Sequence, residues 1–152
     1  MDNSKMLDRL RRQCSRREYC TSDIMKKISA EEGLDTDAIV SALTSEGYLS
    51  DSRYAEAFAR DKSSLDGWGP LKIRMALQAK GIAKPLVDAA LAQVDMSAAA
   101  SKLEKVVAAR YRALSEDPQC RLKLLRFALG RGYGYEEAAD AVDKAMNGSK
   151  DG

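Results

Sequence analysis

The chain has 152 residues, of which 45% are hydrophobic, 32% charged and 6% aromatic, a composition that favours an all-helical protein over a β-sheet protein. It has no histidine, which excludes histidine-based acid–base and triad chemistry, and its three cysteines are not spaced as zinc ligands. Its apolar runs are too short to cross a bilayer and its N-terminus lacks the pattern of a signal peptide, so we expect a cytoplasmic protein without a membrane segment, metal site or cofactor.

Helix start and stop signals recur along the chain and predict nine helices. The helices are expected near residues 2–14, 21–32, 35–46, 50–63, 70–80, 84–93, 97–114, 118–131 and 135–146. Pro70 and Pro118 are expected at first helical positions, since proline is favoured there, with Gly69 and Asp117 as the N-caps.

Two local patterns leave alternatives open. Trp68 either packs on Ile73 as a hydrophobic staple or is exposed for contact with a base or a protein partner. Ser101 and Glu104 either form a capping box or lie in the first turns of a helix that begins at Ser97.

The nine helices group into three copies of a three-helix repeat. Gly33, Gly81 and Gly132 are 48 and 51 residues apart, and each suits the left-handed position that ends a helix. Apolar residues recur at matching offsets from these glycines: Met25, Ile73 and Leu124 before them, and Ile39, Val87 and Ala138 after them. We therefore predict an elongated all-α array with repeats at 1–47, 48–96 and 97–147 and a flexible tail at 148–152.

Charge follows the same repeat. The formal net charge is only +2. However, residues 101–131 carry eight cations and three acidic residues, whereas 132–152 carry two cations and five acidic residues. In each repeat the first two helices are basic and the third is acidic. This pattern indicates either ordinary solvated helix faces or a basic binding surface that recurs along the array.

A helical projection of residues 70–80 separates apolar stripes from polar strips. One stripe holds Ile73, Ala76 and Leu77, and the other holds Leu71, Met75 and Ala79. A helix with two apolar stripes is expected to be sandwiched between neighbours. Arg74 lies on the wider polar strip and Lys72 on the narrow one, so Arg74 is the cation we expect to be most exposed on this helix.

Further candidate binding cations lie on the helices to either side. They are Arg53 and Arg60 on the helix at 50–63, and Arg121, Lys123 and Arg126 on the helix at 118–131. Lys123 and Arg126 share a polar strip beside the leucines of their helix. Arg53 and Arg60 are seven residues apart and so share a helical face, where they either join the basic surface or pair with Glu56.

Three short motifs between residues 47 and 82 are specific when they occur together. They are Gly47-Tyr48-Leu49-Ser50-Asp51-Ser52-Arg53-Tyr54-Ala55, then Gly67-Trp68-Gly69-Pro70 with Lys72-Ile73-Arg74, then Lys80-Gly81-Ile82. With the segment Ser15-Arg16-Arg17-Glu18-Tyr19-Cys20, they resemble the bacterial RecX family, and the resemblance covers almost the whole chain.

The resemblance implies a regulator of the RecA recombinase built from three three-helix units, and we expect this chain to be a monomer without catalytic activity. Members of that family bind in the groove of the RecA filament on single-stranded DNA, and they usually inhibit its ATPase, strand-exchange and coprotease activities. The match assigns Lys72 and Arg74 to the family's basic positions after Gly-x-Gly-Pro, and Arg53 to the arginine after Gly-Tyr-Leu-x-Asp-x.

Two other hypotheses stay open on the residues alone. One is a helical DNA-binding module that acts without RecA, although no recognition helix rich in Arg, Asn and Gln is evident. The other is a repeat adaptor that binds proteins, although the period near 50 differs from that of tetratricopeptide repeats. An enzyme is the least favoured hypothesis, because neither a phosphate-binding loop of Walker type nor a pair of catalytic carboxylates can be assigned.

Overall fold

The computed structural model describes the backbone of residues 1–151 and the side chains of residues 1–148. Within that range the chain forms nine α-helices and no strand, which confirms the all-α prediction. The helices are α1 (Asn3–Arg16), α2 (Thr21–Ser29), α3 (Thr36–Ser45), α4 (Asp51–Ser64), α5 (Pro70–Ala79), α6 (Lys84–Ala92), α7 (Met96–Leu114), α8 (Cys120–Gly130) and α9 (Tyr135–Asp151). Positions 149–152 of the predicted tail lie outside the fully described residues, so the tail stays a prediction.

Aspartate side chains cap three of the helices. The carboxylates of Asp2, Asp35 and Asp95 each accept a hydrogen bond from a backbone N–H three residues later, at 2.9, 3.1 and 3.0 Å. Such caps satisfy donors that have no partner inside the helix. Because Asp95 starts α7, Ser101 and Glu104 lie within that helix and do not form a capping box at its start.

Helix α8 begins two residues later than predicted, at Cys120, so the assignment of Pro118 as its first residue and Asp117 as its N-cap is wrong. The carboxylate of Asp117 accepts the N–H of Gln119 at 2.8 Å, and its carbonyl accepts the N–H of Cys120 at 3.0 Å. These bonds form a turn before the helix, and the turn uses the acceptors that would otherwise have capped it.

The three repeat glycines adopt the predicted left-handed conformation. Gly33, Gly81 and Gly132 have φ angles of 77°, 77° and 97°. At Gly81 the N–H donates to the carbonyl of Gln78 at 2.9 Å, and the next N–H donates to Leu77 at 3.2 Å. These bonds satisfy carbonyls at the end of α5, where a side chain at the glycine would be strained.

The first compact unit comprises residues Met1–Phe58 and Leu77–Ala90. Its core is formed by apolar residues of α1, α2 and α3 together with Leu49 of the α3–α4 connection: Met6, Leu10, Ile24, Ile28, Ile39, Leu43 and Leu49. Met25, which the repeat alignment placed at an apolar position, is 46% exposed, and Ile24 is buried instead. The alignment fails there because α2 ends four residues before Gly33, whereas α5 and α8 end two residues before their glycines.

The second compact unit comprises residues Ala59–Ala76 and Leu91–Gly152. Its described core draws on α7, α8, α9 and the α8–α9 connection and consists of Ala99, Leu103, Val107, Cys120, Leu124, Ala128, Tyr133, Ala138, Ala141 and Val142. The four-residue spacing along α7 and α8 places one apolar stripe of each helix in this core. Nowhere in the described part of the chain does a helix combine the length and apolarity that a bilayer crossing needs. The repeat boundaries and the elongated outline stay predictions.

Candidate binding surfaces

The Gly-x-Gly-Pro motif forms a backbone joint with the start of the α8–α9 connection. The N–H of Gly69 donates to the carbonyl of Arg131 at 2.7 Å, and the N–H of Leu71 donates to the carbonyl of Gly132 at 2.9 Å. A Cβ atom on Gly69 would lie 2.4 Å from the carbonyl carbon of Gly132, and one on Gly132 would lie 2.4 Å from the Cβ of Lys72. Both glycines are therefore required by the close approach of the two backbones.

Side chains reinforce this joint from one side. The buried hydroxyl of Tyr133 is 3.1 Å from the carbonyl of Gly67 and 3.2 Å from that of Ala99, and it can donate its proton to either. Burial raises the pKa of Tyr133, so the hydroxyl keeps that proton at neutral pH. The guanidinium of Arg131 donates to the carbonyl of Asp66. The Gly-x-Gly-Pro motif is thus tied to the α8–α9 connection by backbone and side-chain hydrogen bonds.

Trp68 is half-buried within this joint and has cations over its ring. The Nζ atoms of Lys62 and Lys72 lie 4.8 and 4.3 Å from the ring centroid, within the range of cation–π attraction. Trp68 and Ile73 also line the same small cavity, as the staple interpretation expects. A nucleic-acid base that stacked on this ring would compete with the two lysines.

Helix α5 differs from the predicted sandwiched helix. Its first stripe is buried, with Ile73 and Leu77 almost inaccessible, but Leu71 and Met75 on the second stripe are 53% and 69% exposed. A helical projection shows which residues share a face but not whether another element covers that face. The prediction that both stripes of α5 are buried is therefore wrong for the stripe of Leu71 and Met75.

The two predicted cations of α5 lie on either side of this exposed stripe. Lys72 and Arg74 are both half-buried, so Arg74 is not distinguished as the more exposed of the two. The side chain of Lys72 extends from its contact with Gly132 towards the ring of Trp68.

Arg53 holds a local turn together. Its Nε donates to the carboxylate of Glu18 at 3.1 Å and its Nη2 to the carbonyl of Gly47 at 2.9 Å. Gly47 has a φ of 82°, so the arginine closes a turn at the glycine of the Gly-Tyr-Leu motif. Arg60 pairs with its neighbour Asp61 at 3.5 Å, and neither arginine pairs with Glu56 as one alternative had it.

The cations of α8 differ in how they are already paired. Arg121 donates to Asp143 of α9 at 3.0 Å, and Lys123 donates to Asp117, whose carboxyl pKa this hydrogen bond lowers. Arg126 is exposed, and no ion pair among the described residues involves it. Of the seven predicted cations, Arg53 belongs to the first compact unit and the other six to the second.

A row of four cations on α1 escaped the sequence analysis. Lys5, Arg9, Arg12 and Arg16 are all exposed, and their spacing of four, three and four residues places them on one helical face. The spacing in the sequence already predicts this row. The total charge of a segment does not, because it is the same whether the cations share one helical face or are spread around the helix. We refer to these four residues as the α1 basic row.

The chain is similar to known proteins over most of its length. A family model described as RecX, second three-helix domain, matches residues 50–91. A regulatory protein RecX of Chromohalobacter salexigens is 32% identical over 140 residues, which cover 90% of each chain. A regulatory protein RecX of Clostridium botulinum (strain Eklund 17B) is 32% identical over 123 residues, which cover 76% of this chain and 57% of that longer protein.

A solved structure has the same fold. The crystal structure of RecX from Lactobacillus salivarius matches with a TM-score of 0.83 at 18% sequence identity, and the match covers 95% of this chain and 97% of that chain. At that identity the likeness establishes the helical architecture and nothing about the contacts that either protein makes.

Proposed function

Since the chain belongs to the RecX family of regulatory proteins, we propose that it binds RecA filaments on single-stranded DNA and inhibits RecA ATPase, strand exchange and coprotease activity. The relatives are named regulatory proteins, which points to a role without catalysis. The proposed role belongs to DNA repair, homologous recombination and the SOS response, and it requires a cytoplasmic location.

The observation that carries the proposal is the mixed character of the exposed face of α5. Leu71 and Met75 are four residues apart and expose apolar area, while Lys72 and Arg74 flank them with positive charge. Interfaces combine a desolvated apolar centre with a charged rim that selects the partner. A protein filament wound on DNA offers such a partner, because it presents protein surface and phosphates together.

The cations of α8 extend this basic character within the second unit. Arg126 has no competing ion pair among the described residues, whereas Arg121 and Lys123 would exchange existing carboxylate partners for new ones. We therefore assign Arg126 a larger contribution to filament binding than its two neighbours, since a paired surface cation gains less from a second anion.

The proposal is tested by titrating RecA ATPase on single-stranded DNA with the protein at two salt concentrations. We expect Lys72→Ala with Arg74→Ala to raise the half-inhibitory concentration roughly tenfold at low salt and less at high salt, because salt screens charge. Leu71→Ser with Met75→Ser is expected to raise it by a similar factor at both. Met25→Ser is the matched control, an exposed methionine on a different helix.

Each outcome bears on a different part of the proposal. If the wild-type protein leaves the ATPase unchanged at both salt concentrations, the RecA assignment is wrong. If it inhibits and both double variants inhibit as well as Met25→Ser, the function stands but the α5 surface is wrong. Thermal unfolding by circular dichroism of each variant separates lost contacts from lost folding.

A further inference from the structure

The α1 basic row is the most regular array of charge in the first unit. Its four cations lie within about 60° of arc on the helix, since residues three and four apart are neighbours on a helical surface. The opposite face of α1 contributes Met6 and Leu10 to the core, which fixes the orientation of the helix. The row therefore faces solvent as a consequence of how α1 packs.

No carboxylate in the described structure neutralises this row. The acidic residues beside it are already engaged: Asp8 and Glu46 both bind Arg11, at 3.0 and 2.6 Å, and Asp2 caps the N-terminus of the helix. None of the four cations makes a described ion pair. The four cations form three neighbouring pairs of like charge that repel, so the row is locally unfavourable to the folded protein unless an anion binds it.

The row is a straight and regular line of positive charge, which suits a ligand with a line of negative charge. Eleven residues of helix separate Lys5 from Arg16, which amounts to roughly 16 Å in steps of about 4.5 to 6 Å at the helical rise per residue. DNA is a line of regularly repeated negative charges, and proteins bind its backbone mainly by placing lysine and arginine along it.

We propose that the α1 basic row binds the phosphate backbone of DNA. That the strand is the DNA of a RecA filament rests on the proposed function, whereas backbone binding itself does not. An acidic protein surface is the less favoured partner, because protein interfaces are anchored by buried apolar or aromatic side chains and the row has none between its cations. Helix α5 does expose apolar side chains beside its cations, so a protein surface is the favoured partner for that helix.

The test compares two variants that lose the same charge. Arg9→Ala with Arg12→Ala removes the centre of the row, and Lys84→Ala with Lys105→Ala removes two exposed cations from α6 and α7 that make no described ion pair. The binding of each variant of the 152-residue chain to fluorescent oligo(dT), and to a duplex of equal length, is measured across a salt series without RecA.

We expect the row variant to lose on the order of tenfold in affinity for DNA at low salt, and the control variant to lose much less. The slope of log affinity against log salt is negative, and in the row variant it should be less steep than in wild type. We expect a difference of about 1.4 on the single strand or about 1.8 on the duplex, the values for two lost phosphate contacts. Whichever DNA, single-stranded or duplex, shows the larger loss of affinity is the form of DNA that the row binds.

Three results would overturn the proposal. The wild-type protein could fail to bind either oligonucleotide, the two variants could lose affinity equally, or the row variant could bind naked DNA normally and lose only its effect on RecA. The last result would assign the row to a protein surface. A wild-type protein that binds DNA through the row but never alters RecA ATPase would instead refute the proposed function and leave this inference intact.

Discussion

Replacing Gly69 with alanine tests the backbone joint at the start of α5. The added Cβ would lie 2.4 Å from both the carbonyl carbon and the oxygen of Gly132, and 2.6 Å from the nitrogen of Tyr133. Such separations lie far inside van der Waals contact. The obstructing atoms belong to a backbone, which cannot rotate away as a flexible side chain can, so the loop must move away from α5.

The expected loss of stability follows from the contacts that this movement breaks. The bonds from Gly69 to Arg131 and from Leu71 to Gly132 each contribute about 1 kcal/mol, and more when a buried partner is left unsatisfied. Loosened packing around Tyr133 adds to this, so we expect Gly69→Ala to lower the free energy of unfolding by about 2–4 kcal/mol. In a chain of this size that corresponds to a fall in Tm of roughly 5–15 °C.

Urea denaturation followed by circular dichroism and by tryptophan fluorescence measures this loss. Trp68 is the only tryptophan and directly precedes Gly69, so its fluorescence reports on the joint while dichroism reports on helix content. Gly130→Ala is the matched control, because nothing lies within 4 Å of its added Cβ and a helical glycine is replaced. We expect the control to be at least as stable as wild type, with a gain below the roughly 0.5–1 kcal/mol of a helix interior because Gly130 is the last residue of α8. Equal stability of the two variants would refute the close approach.

Two further outcomes follow from the electrostatics of the first unit. Arg9→Ala with Arg12→Ala should raise Tm by roughly 2–3 °C at low salt and by nothing measurable at high salt, since it removes like-charge repulsion along α1. Burial alone would raise the pKa of Asp23, but hydrogen bonds from Lys80 at 2.7 Å and from Cys20 outweigh it and lower that pKa. The Asp23–Lys80 pair therefore stabilises the fold above the ordinary aspartate pKa near 4, and this stabilisation is lost as the pH falls below it. We expect urea denaturation to show a lower free energy of unfolding for Asp23→Asn than for wild type at pH 7, and nearly equal values at pH 2.

The number and placement of helices could be predicted because the signals for them are local. A glycine that must adopt positive φ ends a helix wherever it occurs, and Pro70 begins one because its missing N–H is not needed there. The start of α8 was mispredicted because Asp117 bonds within a turn before the helix. An aspartate before a proline can cap a helix or accept hydrogen bonds within a turn, and the sequence pattern is compatible with both arrangements.

The binding surfaces could be predicted only in part, because exposure and pairing depend on residues distant in the chain. Arg53 was identified from its motif, but its partner Glu18 lies 35 residues away and could not be read from helical spacing. The joint between Gly69 and Gly132 is a backbone contact, which side-chain patterns do not encode. The exposure of Leu71 and Met75 likewise depends on whether another element covers them.

The arginine of the Gly-Tyr-Leu motif and the α1 basic row differ in what each would lose on binding an anion. Gly67, Gly69 and Arg53 all take part in intramolecular hydrogen bonds. A ligand that recruited Arg53 would have to offset its bonds to Glu18 and Gly47. The α1 basic row carries no such bonds to lose, and binding an anion would also relieve its internal repulsion. A polyanion is therefore expected to gain more free energy from the row than from the motif arginine, which supports placing the proposed DNA contact on α1.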